Sequence, residues 1–149
     1  GWSRSAKHFH DLRCYTGAAE LPAFLAATRI LVCLLPLTTD THHLLNRALL
    51  QQLQPEAFVI NVARGKLIVE EDLLALLDAG HLACAALDVM EHEPLPPDSR
   101  LWTHPKVQLT PHIAAQTLID EGIAQILGKL QAVLAGQSVS GMIDLQRGY

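Results

Sequence analysis

The sequence predicts an α/β fold built around a mainly parallel β-sheet. Half of its 149 residues are hydrophobic, which is enough for a buried core and argues against disorder. Short apolar runs alternate with stretches of helical periodicity, the pattern typical of strand–helix–strand units. The length suits one domain, and no internal repeat or low-complexity segment is present.

Four apolar runs are predicted to form the strands of this sheet. The first, residues 29–35, has continuous rather than alternating apolar positions, which predicts a strand buried on both faces. The next two lie at residues 58–62 and 82–89, and a short last strand is expected at residues 106–109. Parallel pairing of these strands would bring their carboxyl ends to one edge of the sheet.

Helical patterns separate and follow these strands. Residues 70–79 have acidic side chains in the first turn, a stripe of leucines and a glycine after the end, which together predict a crossover helix. Weaker helices are expected at residues 20–27 and 47–53. Residues 117–135 carry apolar side chains at three- and four-residue steps, which predicts one long amphipathic helix.

Composition and charge restrict the class of partner. The formal net charge of −4 is spread without a Lys/Arg block, so no footprint for nucleic acid or an anionic membrane is expected. The longest apolar run stops at Pro36, far short of a membrane span. The three cysteines lack metal-ligand spacing, which suits a reducing compartment. We therefore expect a cytoplasmic protein with small ligands and without a metal site.

Reactive side chains directly follow the predicted strands. Arg64 follows the second strand, Glu91 and Glu93 follow the third, and His112 follows the fourth. An arginine can bind a carboxylate through two parallel hydrogen bonds. A histidine paired with a carboxylate can exchange a proton with a reacting oxygen near neutral pH. Each residue alone is also explained as a surface charge or a turn residue, but the combination favours reduction of a keto acid.

Three sequence segments carry a resemblance to a known family. They are Asn-Val-Ala-Arg-Gly at residues 61–65, Leu-Asp-Val-Met-Glu-His-Glu-Pro at 87–94 and Thr-Pro-His-Ile at 110–113. In order and separation they resemble the signature segments of the D-isomer-specific 2-hydroxyacid dehydrogenases. Within that family, residues 1–5 and 93–102 and the Arg-Gly-Tyr terminus are most similar to the glyoxylate/hydroxypyruvate reductases.

This resemblance implies transfer of a hydride from a nicotinamide cofactor to a small 2-keto acid. Arg64 would bind the carboxylate and carbonyl of the substrate, His112 would be the acid/base, and Glu93 would orient and charge His112, with Glu91 as the competing carboxylate. Asp88 would contact the nicotinamide end, or alternatively cap the following turn. The cofactor channel would be lined by Leu35, Pro36, Thr41, Val62, Ala63 and Ala114.

The first residues bear on the choice of cofactor. Ser3, Arg4 and Ser5 resemble the end of a strand at which an acidic residue would bind the ribose of NAD and a basic residue the phosphate of NADP. No acidic residue occurs before Asp11. We therefore favour NADP(H) over NAD(H), with a terminal surface charge as the alternative role of Arg4.

A Gly-x-Gly-x-x-Gly turn, which would hold the cofactor pyrophosphate, does not occur in the sequence. We therefore expect residues 1–116 to form a Rossmann-type doubly wound domain truncated at its N-terminus, without the first strand and glycine turn. Residues 117–149 would form a helix and tail that pack toward a substrate domain. Because the first strand is central in the strand order 3-2-1-4-5-6, a gap is expected between residues 1–2 and 29–35.

The resemblance also implies a homodimer for the intact enzyme, and the 149 residues alone are expected to be inactive. Two other interpretations stay open at this point. The protein could be a dehydrogenase-like module that senses dinucleotides and binds partners, or an inactive gene fragment. Turnover of a keto acid by the intact protein would separate these interpretations from the enzymatic one.

Overall fold

The computed structural model of the protein describes residues 1–115 and 118–142. It forms two compact units, Gly1–His112 and Ile113–Tyr149. The assignment of these segments to a cofactor-binding domain and a substrate-domain contact stays a prediction. Over the described ranges the chain runs through β1 (Trp2–Ser3), β2 (Tyr15–Thr16), α1 (Gly17–Ala26), β3 (Ile30–Cys33), α2 (Arg47–Leu50), β4 (Ala57–Asn61), α3 (Glu70–Asp78), β5 (Leu82–Leu87), β6 (Val107–Leu109) and α4 (Ile119–Leu134).

The predicted parallel α/β architecture is confirmed. Strands β3, β4, β5 and β6 form one sheet in that order, and β1 and β2 form a second, two-stranded sheet. Every pairing is parallel, with Val59 of β4 opposite Ala85 of β5 and Leu87 opposite Leu109 of β6. The carboxyl ends of β3 to β6 therefore lie side by side at one edge of the larger sheet.

Helix α3 is the crossover that the leucine stripe predicts, and it ends at Asp78, one residue before the predicted end. Its leucines are almost completely buried in the same core as Val59 and Ala85. Burying a leucine side chain contributes about 1.5–3 kcal/mol, so this face fastens α3 to the sheet. The chain leaves the helix through Gly80 at φ 74°, a left-handed conformation that glycine adopts without strain.

Strand β3 differs from its prediction. It is shorter than residues 29–35, and its burial alternates, with Leu31 and Cys33 buried while Ile30 and Val32 are 59% and 47% exposed. The expectation of burial on both faces was therefore wrong. Phe58 on neighbouring β4 is also exposed on this side. The continuous apolar residues of β3 therefore give the strand two apolar faces, and no described residue of the first unit covers the second face.

The expected gap is present between β1 and β3. A cavity of about 390 Å³ is lined by Trp2 and Ser3 on one side and by residues 31–35 on the other. Each of the two strands has a strand partner on one edge only among the described residues. The interruption between the two sheets therefore lies where the sequence predicted an interruption in strand order.

The remaining helices keep their predicted positions with shifted ends. Helix α1 begins at Gly17, three residues before the prediction, because the backbone N–H of Thr16 donates to the carboxylate of Glu20 inside the first turns. Helix α2 ends at Leu50 and continues as a turn, with its first turn capped by the Asn46 side chain. The short strand β2 was not predicted.

Helix α4 confirms the long amphipathic pattern, although Thr117, the predicted first residue, lies outside the described residues. The Arg-Gly-Tyr terminus lies outside them as well. No helix among the described residues is long and apolar enough to cross a membrane.

Candidate active site

The turn after β4 holds Arg64 in place through a buried asparagine. Asn61 is 1% exposed; its Oδ1 accepts a hydrogen bond from the Ala63 N–H at 3.1 Å, and its Nδ2 donates to the Arg64 carbonyl at 3.0 Å. The exposed guanidinium donates to the Ala63 carbonyl at 2.6 Å. The backbone of Arg64 is thus fixed while its charged group stays at the surface. Asn61 was not predicted as a site residue, although a polar residue at the end of an otherwise apolar strand could have indicated its role.

Gly65 brings this turn into direct contact with the loop after β5. A Cβ atom at Gly65 would lie 1.9 Å from the carbonyl carbon of Met90 and 2.4 Å from the nitrogen of Glu91. Only a residue without a side chain fits such an approach between two backbones. The turn of residues 62–67, the arginine turn, and the loop of residues 88–94, the carboxylate loop, therefore pack against each other through their backbones.

The structure pairs His112 with Glu93. Nδ1 of His112 lies 2.8 Å from Oε2 of Glu93, and Oε1 of the same carboxylate accepts the Met90 N–H at 2.9 Å. These hydrogen bonds, first from His112 and then from Met90, hold the pKa of Glu93 below its usual range. An ionised Glu93 accepts a hydrogen bond from Nδ1 and fixes the orientation of the imidazole. Nε2 is the ring nitrogen that this pairing leaves for a substrate.

The backbone of His112 is in an uncommon conformation. Its φ is 56°, in the left-handed region, and its N–H donates to the Asp88 carbonyl at 2.9 Å. Asp88 is 4% exposed, and its carboxylate accepts the Thr110 hydroxyl. Two hydrogen bonds to Asp88, one from Thr110 and one from His112, therefore join the end of β5 to the end of β6 and keep the strained residue in place.

Glu91, the competing carboxylate, contacts a different histidine. Its Oε1 lies 3.1 Å from Nε2 of His43, in the loop after β3. The two glutamates of the loop after β5 thus contact two different histidines: Glu91 contacts His43, and Glu93 contacts His112. His43 was not predicted as a site residue, because it lies outside the three segments that carry the family resemblance.

The proposed cofactor-lining residues fall into three groups. In the loop after β3, the Thr41 hydroxyl donates to the Pro36 carbonyl at 2.6 Å and accepts the Thr38 N–H at 2.8 Å, which closes the loop behind half-buried Leu35. Val62 and Ala63 begin the arginine turn after β4, half-buried and buried respectively. Ala114 belongs to the second unit.

Ser3, Arg4 and Ser5 stand apart from the other site residues, because β1 belongs to the smaller sheet. The Ser3 hydroxyl donates to the Ser5 carbonyl at 2.6 Å, and both Arg4 and Ser5 are exposed. The exposed end of β1 therefore presents one cation and a serine hydroxyl, with no acidic residue before Asp11. This donor set suits a phosphate better than a ribose diol.

Comparison with known proteins gives relatives over the whole chain. Residues 1–114 match the family model of the D-isomer specific 2-hydroxyacid dehydrogenase NAD binding domain. Glyoxylate/hydroxypyruvate reductase A of Klebsiella pneumoniae (strain 342) is 49% identical over 148 residues, which cover 99% of this chain and 47% of that protein. The chain therefore spans about half the length of the curated relatives it matches.

Solved structures agree. A D-isomer specific 2-hydroxyacid dehydrogenase from Xanthobacter autotrophicus Py2, in complex with NADPH and MES, superposes with a TM-score of 0.97 at 42% identity, covering 100% of this chain and 62% of that one. The NADPH-dependent glyoxylate/hydroxypyruvate reductase of Sinorhizobium meliloti, in complex with NADP and sulfate, gives 0.94 at 40% identity, covering 100% and 48%. The predicted Rossmann-type parallel fold is thereby confirmed, and the chain belongs to the D-isomer specific 2-hydroxyacid dehydrogenase family.

Proposed function

We propose that the complete protein containing this chain reduces a small 2-keto acid, such as glyoxylate or hydroxypyruvate, with NADPH. The observation that carries the proposal is the hydrogen bond between His112 and Glu93, on the loop that packs directly against the Arg64 turn. The family and the names of the relatives support this class of reaction.

Arg64 binds the substrate in this proposal. Its guanidinium is exposed at the carboxyl end of β4, and its backbone is held by Asn61. The planar fork of an arginine matches the two oxygens of a carboxylate, and a further N–H can polarise the adjacent carbonyl oxygen. Arg64 therefore orients the keto acid and draws charge toward the oxygen that is to be protonated.

His112 supplies the proton. Because Nδ1 is held by Glu93, the proton for the substrate oxygen is carried on Nε2. Glu93 stays ionised over the physiological range, since its two hydrogen bonds lower its pKa, and the ionised carboxylate holds the His112 ring in place during transfer. In the reverse direction the same nitrogen accepts the proton of a 2-hydroxy acid.

The residues present fit part of a dinucleotide site. When bound, the nicotinamide cofactor supplies the hydride for the carbonyl carbon. Ser3, Arg4 and Ser5 would hold the 2′-phosphate, which favours NADP(H) over NAD(H). Asp88 would lie toward the nicotinamide end, and the channel would be lined by Leu35, Pro36 and Thr41 after β3, by Val62 and Ala63 after β4, and by Ala114 after β6. The sequence contains no glycine turn for the pyrophosphate.

A homodimer, which the resemblance implies, and a cytoplasmic location, which the cysteine pattern favours, stay predictions. Gel filtration with light scattering of the full-length protein would test the first, and fractionation of the source cells the second.

The function is tested with a full-length chimaera, in which this chain replaces the matching part of the Klebsiella pneumoniae reductase. The expected result is oxidation of NADPH, followed at 340 nm, that depends on added glyoxylate or hydroxypyruvate. A folded chimaera that binds NADPH but reduces no keto acid would contradict the proposal and favour a dinucleotide-sensing role. A matched chimaera carrying Arg64→Gln should bind NADPH normally and lose most of its turnover.

A further inference from the structure

We propose that His43 is a positioning residue for the reaction, acting through Glu91 to hold the arginine turn against the loop that carries Glu93. This inference rests on the proposed function and adds a residue to it. Nε2 of His43 lies 3.1 Å from Oε1 of Glu91, and the two residues are 48 positions apart in the chain. We call this pair the His43–Glu91 clamp.

The clamp closes over the turn that contains Arg64. On one side, the His43 N–H donates to the Lys66 carbonyl at 2.8 Å, and the neighbouring Leu45 N–H donates to the Leu67 carbonyl at 2.9 Å. On the other side, the same turn meets the Met90–Glu91 backbone through Gly65. The His43 and Glu91 side chains connect these two flanks, so the arginine turn is enclosed by loops from β3 and β5.

The clamp is also continuous with the acid/base pair. Met90 connects the two pairs, because its N–H donates to Glu93 at 2.9 Å, Glu93 contacts His112, and Glu91 follows Met90 directly in the chain. Glu91 is fixed from its other side by its own N–H, which donates to Glu70 at 2.8 Å. A displacement of Glu91 would therefore pass to Glu93 through one residue of backbone.

The backbone of His43 is in a strained conformation that contacts with neighbouring residues hold in place. Its φ is 53°, in the left-handed region that non-glycine residues seldom occupy. Its backbone N–H and its ring are both engaged, and its carbonyl accepts the Asn46 side chain at 3.3 Å. Strained residues held at several points are typical of sites where geometry matters more than stability.

The kinetic test uses the full-length chimaera with His43→Ala. We expect kcat to fall and KM for the keto acid to rise, together lowering kcat/KM about tenfold or more, since a displacement of about 1 Å can cost a hundredfold in rate. The Kd for NADPH should be unchanged. The matched control is His42→Ala, because His42 is exposed and its ring lies beside that of His43 at an angle of 38°, while among the described residues no hydrogen bond joins it to Glu91.

Two further variants separate positioning from general stability. Glu91→Gln keeps an oxygen that can accept from His43 and should retain most of the activity, whereas Glu91→Ala should match His43→Ala. The double alanine variant should be no worse than either single variant, because residues that act as a unit are not additive. Full additivity, or equal losses in His42→Ala and His43→Ala, would overturn the proposal.

A measurement that needs no turnover distinguishes failure of the clamp from failure of the proposed function. In His43→Ala, amide hydrogen exchange at Met90 should quicken about tenfold or more as its bond to Glu93 loosens, while exchange at Leu77 in α3 stays unchanged. Unchanged exchange at Met90 would refute the clamp even in an active enzyme. Faster exchange in a protein that reduces no keto acid would leave the clamp standing and reject the proposed function.

Discussion

The two parts of the candidate site are held in different ways. At the ends of β4, β5 and β6, every loop is tied to its neighbour by backbone contact or hydrogen bonds, through Gly65, Asp88 and Glu93. At the end of β1, Arg4 and Ser5 follow a two-residue strand that borders a cavity. The part of the site proposed as catalytic is therefore built by contacts between neighbouring loops, whereas the segment proposed to bind the phosphate lies beside a cavity.

This difference separates the expected effects of substitutions. In the proposed catalytic part, changes should alter chemistry or packing strongly, because hydrogen bonds hold the backbones of Arg64 and His112 and the carboxylate of Glu93. Near β1, changes should alter cofactor affinity alone, because Arg4 and Ser5 are exposed and follow a strand of the other sheet.

The largest effect is expected for His112→Gln in the full-length chimaera. Glutamine can donate an amide N–H to Glu93 but cannot supply a proton to the substrate near neutral pH, so kcat should fall by roughly two to four orders of magnitude. NADPH affinity, measured by fluorescence titration, should change little. Turnover close to that of the parent would rule His112 out as the acid/base.

The next effect tests the packing of the catalytic part. Gly65→Ala places a methyl group 1.9 Å from a backbone carbon of Met90, so the two loops have to separate. Overpacking of this kind costs about 1–3 kcal/mol, and we expect a lower Tm together with a loss of turnover. The control is Gly128→Ala in α4, where nothing lies within 4 Å of the new Cβ. Equal Tm values for the two variants would show that the approach of the loops is not tight.

The sequence predicted the strands whose ends bring Arg64, Glu93 and His112 together, while the catalytic roles of these residues stay predictions. The three residues lie in the segments that follow β4, β5 and β6, and parallel strands bring their ends together whatever the details of the helices. The leucine stripe of α3 likewise fixed one helix and its place against the sheet. Period and position were enough for these elements.

Other features depend on contacts that no local pattern encodes. The clamp joins His43 to Glu91 across 48 residues, and the close approach at Gly65 is visible only once two loops are in place. The exposed face of β3 was predicted to be buried. Apolar residues show that a face is suited to burial, but they do not show which residues cover it. Distant pairing thus sets the limit of the sequence-based prediction.

A smaller effect is expected at the end of β1. If Arg4 binds the 2′-phosphate, Arg4→Asp should weaken NADPH binding by about 1.5–3 kcal/mol, the order of a charge-assisted hydrogen bond, and leave NADH binding unchanged or improved. Isothermal titration with both cofactors measures the difference. Lys7→Asp is the control, since it makes the same change of charge at a nearby exposed residue. Equal losses for NADPH and NADH would indicate a structural role for Arg4.

The smallest effect concerns stability against pH and the Glu93–His112 pair. The pKa of Glu93 is lowered by its hydrogen bonds to His112 and to the Met90 N–H. A carboxyl group whose pKa is lower in the folded state stabilises the fold above its unfolded pKa of about 4.3, and this contribution is lost as the pH falls through the folded value. Because the Glu93 side chain is 34% exposed, solvent screening should limit the contribution to about 1 kcal/mol or less.

The comparison that isolates this contribution is the chimaera against its Glu93→Gln variant, with the free energy of unfolding measured from pH 7 to pH 3. The difference between the two should shrink steadily as the pH falls below the unfolded pKa of Glu93. Asp78, whose pKa is lowered first by its hydrogen bond to Arg100 and then by that to His104, also titrates in the acid range. Since Asp78 is present in both proteins and lies on another part of the surface, its contribution cancels in the difference. A difference that does not change with pH would show that Glu93 keeps its ordinary pKa in the folded state, and would remove the electrostatic part of its proposed action on His112.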